Sequence, residues 1–220
     1  MDTRERLFEL LVARSGFRSR ERVEDYCRGV LGDLDLAGRA VLEIGCGKGW
    51  ISLYAASSGA SRVVGLEPET EGSTSGDLAE FRATIGLLDL APVVEARAET
   101  IQQFDSGEAR FDLVVSRASI NHLDEEACIH LRTSPEARES YRTIFSKIAG
   151  LLRPEGVLVI TDSSPRNIFP LLGLRNPMAP AIEWHKHQPP REWASLLSEC
   201  GFRDPRISWR MPRPLAPFGR

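Results

Sequence analysis

The chain has 220 residues, of which 42% are hydrophobic and 27% are charged, and its formal net charge is -3. This length and composition are typical of one globular domain with a substantial core. The slightly acidic balance argues against a nucleic-acid partner, because nucleic-acid-binding proteins usually carry an excess of basic residues. No apolar run reaches the ~20 residues that cross a membrane, and the charged N-terminus lacks the apolar core of a signal peptide. We therefore expect a cytoplasmic protein without a membrane span.

The cysteines and the basic C-terminal region do not form a recognisable site. The four cysteines include no C-x-x-C pair, so the sequence indicates neither a zinc site nor a redox motif, and no metal is predicted. Residues 190–220 hold six arginines against three acidic residues. A solvated basic surface is the expectation there, with a site for an anionic ligand as the alternative.

Two helices are predicted before the first strand. Apolar residues recur at helical spacing within residues 3–14 and again within residues 20–31. The second of these stretches includes Tyr26, and Phe17 lies between the two. Either aromatic side chain could face a substrate or pack on the sheet, and the sequence leaves both possibilities open.

The most informative stretch follows these helices. A short apolar strand, residues 40–44, leads directly into Gly45, Gly47 and Gly49, and a helix is predicted over residues 51–57. Glycine adopts backbone angles that are closed to other residues and lets a ligand approach the main chain. A strand, a glycine turn and a helix together bind nucleotide-like ligands at the carboxyl end of a parallel strand. The dinucleotide fingerprint G-x-G-x-x-G would place its third glycine at position 50, where Trp50 stands instead.

Strand and helix signals then alternate along the chain. The remaining predicted elements are strands at 62–66, 92–96, 111–116 and 157–161, and helices at 77–88 and 135–152. The turn Arg153-Pro154-Glu155-Gly156 introduces the strand at 157–161. Repeated alternation of this kind implies a parallel sheet with helices on both faces.

Residues 162–189 interrupt the alternation and contain five prolines. A long loop inside a compact domain is usually functional or disordered, and the apolar and aromatic content of this one argues against disorder. We expect it to be a candidate substrate lid, followed by a helix over 190–200 and a short last strand over 207–211. The sequence thus predicts one domain over residues 1–220, divided into an N-terminal helical cap (1–36), a ligand-binding core (37–161), the insertion (162–189) and a C-terminal helix with an edge strand (190–220).

The glycine stretch, Glu43-x-Gly45-x-Gly47-x-Gly49, resembles motif I of the class I S-adenosylmethionine-dependent methyltransferases. Further matches in the family's order cover residues 39–161. The resemblance implies a doubly wound α/β fold with a mostly parallel, Rossmann-like sheet flanked by helices. It implies S-adenosylmethionine as the cofactor, with S-adenosylhomocysteine as the product, and N-terminal helices that cap the active site. Only nine residues follow Met211, so we expect a shortened C-terminal edge of the sheet, and a monomer and a homodimer both stay open.

The resemblance also implies a set of cofactor-binding residues. Glu67 ends the second strand, where an acid can accept hydrogen bonds from both ribose hydroxyls. Glu43 would hold the glycine loop or bind the ligand's amino group through water, and the pair Ala98–Glu99 would border the adenine. Ser116 and Arg117 would line the methionine end. The full predicted set is Glu43, Gly45, Cys46, Gly47, Gly49, Glu67, Pro68, Ala98, Glu99, Ser116 and Arg117.

A second set of residues concerns the methyl acceptor. His122 follows the fourth strand and is the candidate general base, because an imidazole titrates near neutrality. Candidate substrate residues are Tyr26, Asn121, Glu183, Trp184, His185 and His187. Ser116-Arg117-Ala118-Ser119 lacks the [DN]-P-P-[YF] motif of base amino-methyltransferases, and Ser116 replaces the aspartate of metal-dependent catechol-type members. We therefore predict methyl transfer to a small molecule, preferably a hydroxyl of a metabolite, sugar or lipid-linked intermediate.

Two other functions compete with this prediction. A catalytically silent protein that binds S-adenosylmethionine as a scaffold or sensor would carry the same glycine loop and Glu67. An NAD(P)-dependent reductase is disfavoured by Trp50 and by the absence of a Tyr-x-x-x-Lys pair, since Tyr141 is followed four residues later by Phe145.

Overall fold

The computed structural model describes residues 2–69, 76–176 and 179–209. The chain forms two compact units. The first comprises residues 1–125 and 150–163, and the second comprises residues 126–149 and 164–220. The predicted division of one domain into four segments stays a prediction.

Two N-terminal helices open the first unit as the sequence predicted. Helix α1 spans Thr3–Arg14 and begins with a capping box, in which Asp2 accepts from the Glu5 amide and Glu5 reaches back to the Asp2 amide. Helix α2 spans Arg20–Leu31 and is capped by Ser19. Their apolar faces join the hydrophobic core of this unit.

The first unit is built on a five-stranded sheet. Its strands are β1 (Ala40–Ile44), β2 (Arg62–Leu66), β3 (Val94–Arg97), β4 (Phe111–Arg117) and β5 (Leu152–Thr161). They run in the order β3-β2-β1-β4-β5, and every pair is parallel. The three central strands are nearly continuous apolar runs because such strands are buried on both faces. The predicted doubly wound α/β fold is confirmed.

The strand order places the ligand-binding position. Helix α3 (Trp50–Ser57) connects β1 to β2, and helix α4 (Asp77–Leu87) precedes β3. The chain builds outward from β1 through β2 and β3, and then returns to place β4 on the other side of β1. The carboxyl ends of β1 and β4 therefore meet at the topological switch point, where open α/β sheets bind their ligands.

Strand β5 begins earlier than predicted. Instead of a separate turn before residue 157, the structure has a strand from Leu152 with a register shift opposite Phe111 and Leu113. Glu155 takes a positive φ of 62°, and a side chain on Gly156 would lie 2.8 Å from the Arg153 carbonyl oxygen. The turn residues are thus absorbed into an irregularity of the strand, which a local pattern does not reveal.

The second unit is mainly helical. It contains most of α5 (Glu125–His130) and α6 (Pro135–Leu151), and all of α7 (Ile168–Leu171) and α8 (Pro190–Glu199). The rings of Tyr141, Phe145 and Trp193 contact one another, with centroids 5.0–5.9 Å apart. The sequence predicted α6 and α8 but missed the short helices α5 and α7.

The predicted last strand over 207–211 is not found where the structure can test it. Residues 207–209 belong to no strand, and residues 210 and 211 lie outside the described part of the chain. Ile207 and Trp209 alternate with a polar residue but are both exposed. An apolar alternation makes a strand only when a neighbouring strand satisfies its backbone groups.

Candidate functional site

The glycine loop after β1 has the backbone that its sequence requires. Gly45, Gly47 and Gly49 all have positive φ, at 67°, 51° and 70°. A Cβ on Gly49 would lie 2.2 Å from the ring of Phe81, and one on Gly45 would lie 2.4 Å from Ser119. The first and third glycines are therefore needed both for conformation and for space.

Glu43 is the link between β1 and helix α3. Its Oε2 accepts hydrogen bonds from the Ser52 amide at 2.8 Å and from the Ser52 hydroxyl at 2.6 Å. Gly49, the N-cap of α3, offers no side chain, so the Glu43 carboxylate caps the first turn instead. Burial raises the pKa of Glu43 to about 7, against the opposing effect of the Ser52 hydrogen bonds. This geometry favours the loop-holding role of the motif I acid over contact with a ligand's amino group.

Glu67 connects the end of β2 to the same loop. The side chain is buried, and Oε2 accepts from the Gly47 amide at 2.7 Å. Oε1 accepts no hydrogen bond from any residue in the described part of the chain. A carboxylate with one oxygen anchored and the other available, at the carboxyl end of a strand beside a glycine loop, fits a ribose diol.

Ser116, whose predicted contact with the cofactor stays a prediction, lies near the end of β4. Its side chain is fully buried, and its hydroxyl is 2.8 Å from the hydroxyl of Ser119. Ser119 in turn donates to the Ile44 carbonyl at 2.7 Å and lies directly beneath Gly45. This pair of serines locks β4 to the start of the glycine loop, and sequence reasoning missed Ser119 because its partner is 75 residues away.

An aromatic cluster stands beside the loop. The rings of Phe17, Tyr26 and Trp50 form a triangle with centroids 5.1–5.6 Å apart. The Arg117 guanidinium, at the carboxyl end of β4, lies 4.4 Å from the centroid of the Tyr26 ring. The structure therefore brings Tyr26, a candidate substrate residue, next to Arg117, a candidate cofactor residue, at the end of the sheet where the glycine loop lies.

His122 follows β4 in a short 3-10 turn, Ile120–His122. Its Nδ1 is 2.5 Å from Oε1 of Glu125, and its Nε2 is 3.3 Å from the side-chain nitrogen Nδ2 of Asn121. A carboxylate can only accept, so Nδ1 carries a proton, and in a neutral imidazole Nε2 then presents a lone pair. Glu125 was not among the predicted site residues, although acidic residues three positions after a histidine are a recognisable helical pairing.

Asn121 combines deep burial with an unsatisfied atom. The residue is 1% exposed, and its Oδ1 has no hydrogen-bond partner among the described residues. Buried polar atoms are nearly always paired, so this oxygen is suited to a donor from a bound molecule.

The remaining first-unit candidates border the loop more loosely. Ala98 and Glu99 follow β3, where Glu99 lies 3.8 Å from the Arg97 guanidinium, and Pro68 is half-buried after Glu67. Asp77, which no sequence pattern singled out, begins α4 and would meet a side chain on Gly47 at 3.4 Å. The position of Asp77 at a helix start gave no signal that it approaches the loop.

Four candidate substrate residues belong to the second unit. Trp184, His185 and Lys186 form a 3-10 turn that Glu183 precedes. The Lys186 ammonium pairs with Glu183 at 2.8 Å, and the His187 ring lies 6.1 Å from Trp184. Their predicted contribution to an acceptor pocket stays a prediction.

Comparison with known proteins agrees with the site. The sequence matches the family model of a methyltransferase domain over residues 17–205. No curated protein matches the sequence at a significant level. Separately, no helix among the described residues is long and apolar enough to cross a membrane.

Several solved structures share the fold at low identity. Magnesium protoporphyrin IX methyltransferase from Synechocystis PCC 6803 with bound SAH is 19% identical with a TM-score of 0.58, over 88% of this chain and 77% of that chain. The [4+2]-cyclase SpnF is 16% identical with a TM-score of 0.54, over 83% and 58% of the two chains. The CcbJ methyltransferase from Streptomyces caelestis is 22% identical with a TM-score of 0.50, over 66% and 52%.

Because one fold hosts many functions, these likenesses show the fold alone. The chain spans about half the length of several of the structures it matches, at 55%, 53% and 52%. The family model, by contrast, covers most of the chain, including the glycine loop, Glu67 and the end of β4. The chain therefore belongs to the methyltransferase domain family, and the predictions of a class I S-adenosylmethionine-dependent methyltransferase and of its cofactor are confirmed.

Proposed function

We propose that this protein transfers a methyl group to a hydroxyl of a small molecule, with His122 as the general base. The single observation that carries the proposal is the His122–Glu125 pair, 2.5 Å apart, directly after the strand that ends at the switch point. S-adenosylmethionine, when bound, supplies an electrophilic methyl group on a sulfonium.

The residues at the switch point would hold the cofactor in a fixed orientation. The glycines of the loop carry no side chain that would block the approach of a ligand to the main chain. Glu67, whose Oε2 already accepts from the Gly47 amide, would accept from the ribose hydroxyls through Oε1. Arg117, whose guanidinium lies over the Tyr26 ring, would bind a carboxylate. Positioning of this kind is the main contribution of a protein to a displacement reaction whose reactivity comes from a cofactor.

His122 and its neighbours would remove the acceptor proton. Glu125 accepts the Nδ1 hydrogen and so leaves the Nε2 lone pair for an acceptor hydroxyl. The present partner of Nε2, the Asn121 amide, is at 3.3 Å, longer than a strong hydrogen bond, so a hydroxyl can displace it. The imidazole is 49% exposed, which leaves it accessible to a substrate.

The preferred acceptor is a hydroxylated metabolite, sugar or lipid-linked intermediate. The name of the Synechocystis enzyme describes a small-molecule acceptor, which supports this size class by analogy of fold. A monomer and a homodimer are both compatible with the proposal, and Glu183, Trp184, His185 and His187 remain proposed acceptor contacts.

The first test is cofactor binding. Calorimetric titration with S-adenosylhomocysteine beside NADH should show binding of the former alone, weakened more than tenfold by Glu67→Ala, because a hydrogen bond to a charged group is worth about 1.5–3 kcal/mol. Glu108→Ala removes an exposed acid outside the predicted cofactor set and, as the control, should leave this binding unchanged. Binding of NADH in preference would overturn the cofactor assignment.

The second test is turnover with a panel of hydroxylated acceptors, followed by release of S-adenosylhomocysteine. His122→Ala should lower kcat by about 10²–10⁴ with cofactor affinity unchanged. His130→Ala is the matched control, because His130 also pairs with a glutamate one turn away, Glu126 at 3.2 Å. Equal turnover by wild type and His122→Ala would refute the base, and cofactor binding without turnover on any acceptor would favour a silent scaffold.

A further inference from the structure

The exposed large hydrophobic side chains are concentrated in the second unit. Among the described residues there are seven, and Leu87 is the one that lies in the first unit. Four others fall within seven consecutive residues of α7 and the turn after it: Ile168, Leu171, Leu172 and Leu174. Leu171 is 82% exposed. Single exposed apolar side chains are common on protein surfaces, whereas a contiguous cluster of them indicates a surface that contacts a partner.

The charges within this segment have one sign. Arg166 and Arg175 bound the segment 166–175, and no acidic residue occurs between positions 163 and 176. The guanidinium of Arg166 pairs with no carboxylate in the described part of the chain, and the same holds for Arg191. The segment therefore combines apolar side chains with positive charge, and its partner must offer both an apolar region and negative charge.

A cavity lies at one end of the segment. Arg166 and Arg191 line a space of about 390 Å³ together with Ile207, Trp209, Pro189 and Pro190. All six lining residues belong to the second unit. Two guanidinium groups in one cavity suit a phosphate, which they can bind bidentately. Tryptophan is favoured at the boundary between water and hydrocarbon, and Trp209 is exposed here.

We propose that the second unit docks on an anionic phospholipid surface. Leu171 and Leu172 enter the boundary between headgroups and acyl chains, while Arg166 and Arg191 bind lipid phosphates in the cavity. A free anion would use the arginines but not the leucines, and an uncharged apolar partner would use the leucines but not the arginines. The lipid surface uses both. Docking of this kind does not depend on the proposed methyl transfer.

Co-sedimentation with vesicles tests the proposal on the full chain. Wild type should bind vesicles of phosphatidylcholine and phosphatidylglycerol (about three to one) at least tenfold more tightly than pure phosphatidylcholine, and less tightly as salt rises. Arg166→Gln with Arg191→Gln should weaken binding roughly 25-fold, since each basic residue near an anionic surface contributes roughly a factor of five. Leu171→Ser with Leu172→Ser should weaken it at least tenfold.

Matched changes in the first unit separate this surface from general effects. Leu87→Ser removes the exposed leucine of the first unit, and Arg18→Gln with Arg110→Gln removes two exposed cations there. Both controls should bind vesicles like wild type, and thermal unfolding of every variant should stay unchanged, because the altered side chains are exposed.

Four results would overturn the proposal. The first is no preference of the wild type for anionic vesicles, and the second is equal loss of binding in the controls. The third is a dimer, seen by light scattering, that Leu171→Ser with Leu172→Ser dissociates while the wild type does not bind vesicles, because the patch would then be covered by a second copy. Calorimetric binding of inorganic phosphate without vesicle binding counts against the proposal as well.

Discussion

Glu43→Gln tests how the buried acid of the glycine motif is tolerated. Glu43 is 3% exposed and is bonded to Ser52 at 2.8 and 2.6 Å. Glutamine has nearly the same shape, and its side-chain oxygen can accept the same hydrogen bonds, so the substitution removes the charge while keeping the cap on α3.

The magnitude follows from the displaced pKa. Burial raises the pKa of Glu43 to about 7 from the ordinary glutamate value of 4.5. Between these values the folded state binds more protons than the unfolded state, so the free energy of unfolding falls as pH rises and levels off above the folded-state value. A tenfold difference in proton affinity between the two states corresponds to ~1.4 kcal/mol, so wild type should lose roughly 2–3 kcal/mol relative to Glu43→Gln between pH 5 and pH 8.

The assay is urea unfolding of both proteins at several pH values, with exposed Glu108→Gln as the control. Groups that titrate in both proteins cancel when the free energy of unfolding of Glu43→Gln is subtracted from that of wild type. A difference that falls as pH rises therefore reports the titration of Glu43. Thermal unfolding should show the same trend as a change of roughly 5–10 °C in the Tm difference. A difference that is flat with pH, or that favours wild type at pH 8, would refute the buried-acid reasoning.

Two further predictions concern stability at the ends of β1. Gly49→Ala should lower the free energy of unfolding by about 2–4 kcal/mol and abolish cofactor binding, because the new Cβ would lie 2.2 Å from Phe81 at a positive φ. Gly86→Ala in helix α4 is its control: the new Cβ meets nothing within 4 Å, so this variant should be more stable than wild type by up to about 1 kcal/mol. Asp112→Asn should cost about 1 kcal/mol at neutral pH, because it removes the charge that pairs with Arg153 at 2.7 Å. Burial alone would raise the pKa of Asp112, but its hydrogen bonds with the Ala40 amide and Arg153 outweigh burial and lower it. The stability lost in Asp112→Asn should therefore shrink as pH falls through that lowered pKa. Urea unfolding of both proteins at pH 7 and below pH 4 measures the loss and its decrease.

The local parts of this protein could be predicted well from its sequence. The helices over residues 3–14 and 20–31 and the strand over 62–66 have the predicted bounds, because apolar periodicity and caps are written in neighbouring residues. The glycine loop and Glu67 also lie together, because a strand followed by glycines and a strand ending in an acid meet at one edge of a parallel sheet.

The predictions failed where a partner distant in the chain decides the structure. The last strand over 207–211 has the right alternation, but residues 207–209 form no strand and their apolar side chains are exposed. Strand β5 begins at Leu152, before the predicted turn, because Leu152 already pairs with β4 and the residues of that turn fall within a register shift. The predicted contact of Ser116 with the cofactor stays a prediction, and no local sequence pattern indicated that its hydroxyl lies 2.8 Å from that of Ser119.

The sequence by itself determined the methyltransferase motif, the alternating α/β order and the acid that ends β2, since each depends on residues a few positions apart. The tertiary structure decided which side chains those elements bring together. It placed Ser119 under Gly45, Arg117 over Tyr26 and Glu43 at the start of α3. Burial and hydrogen bonding are properties of a site assembled from several segments, and a raised pKa such as that of Glu43 exists only once that assembly has excluded water.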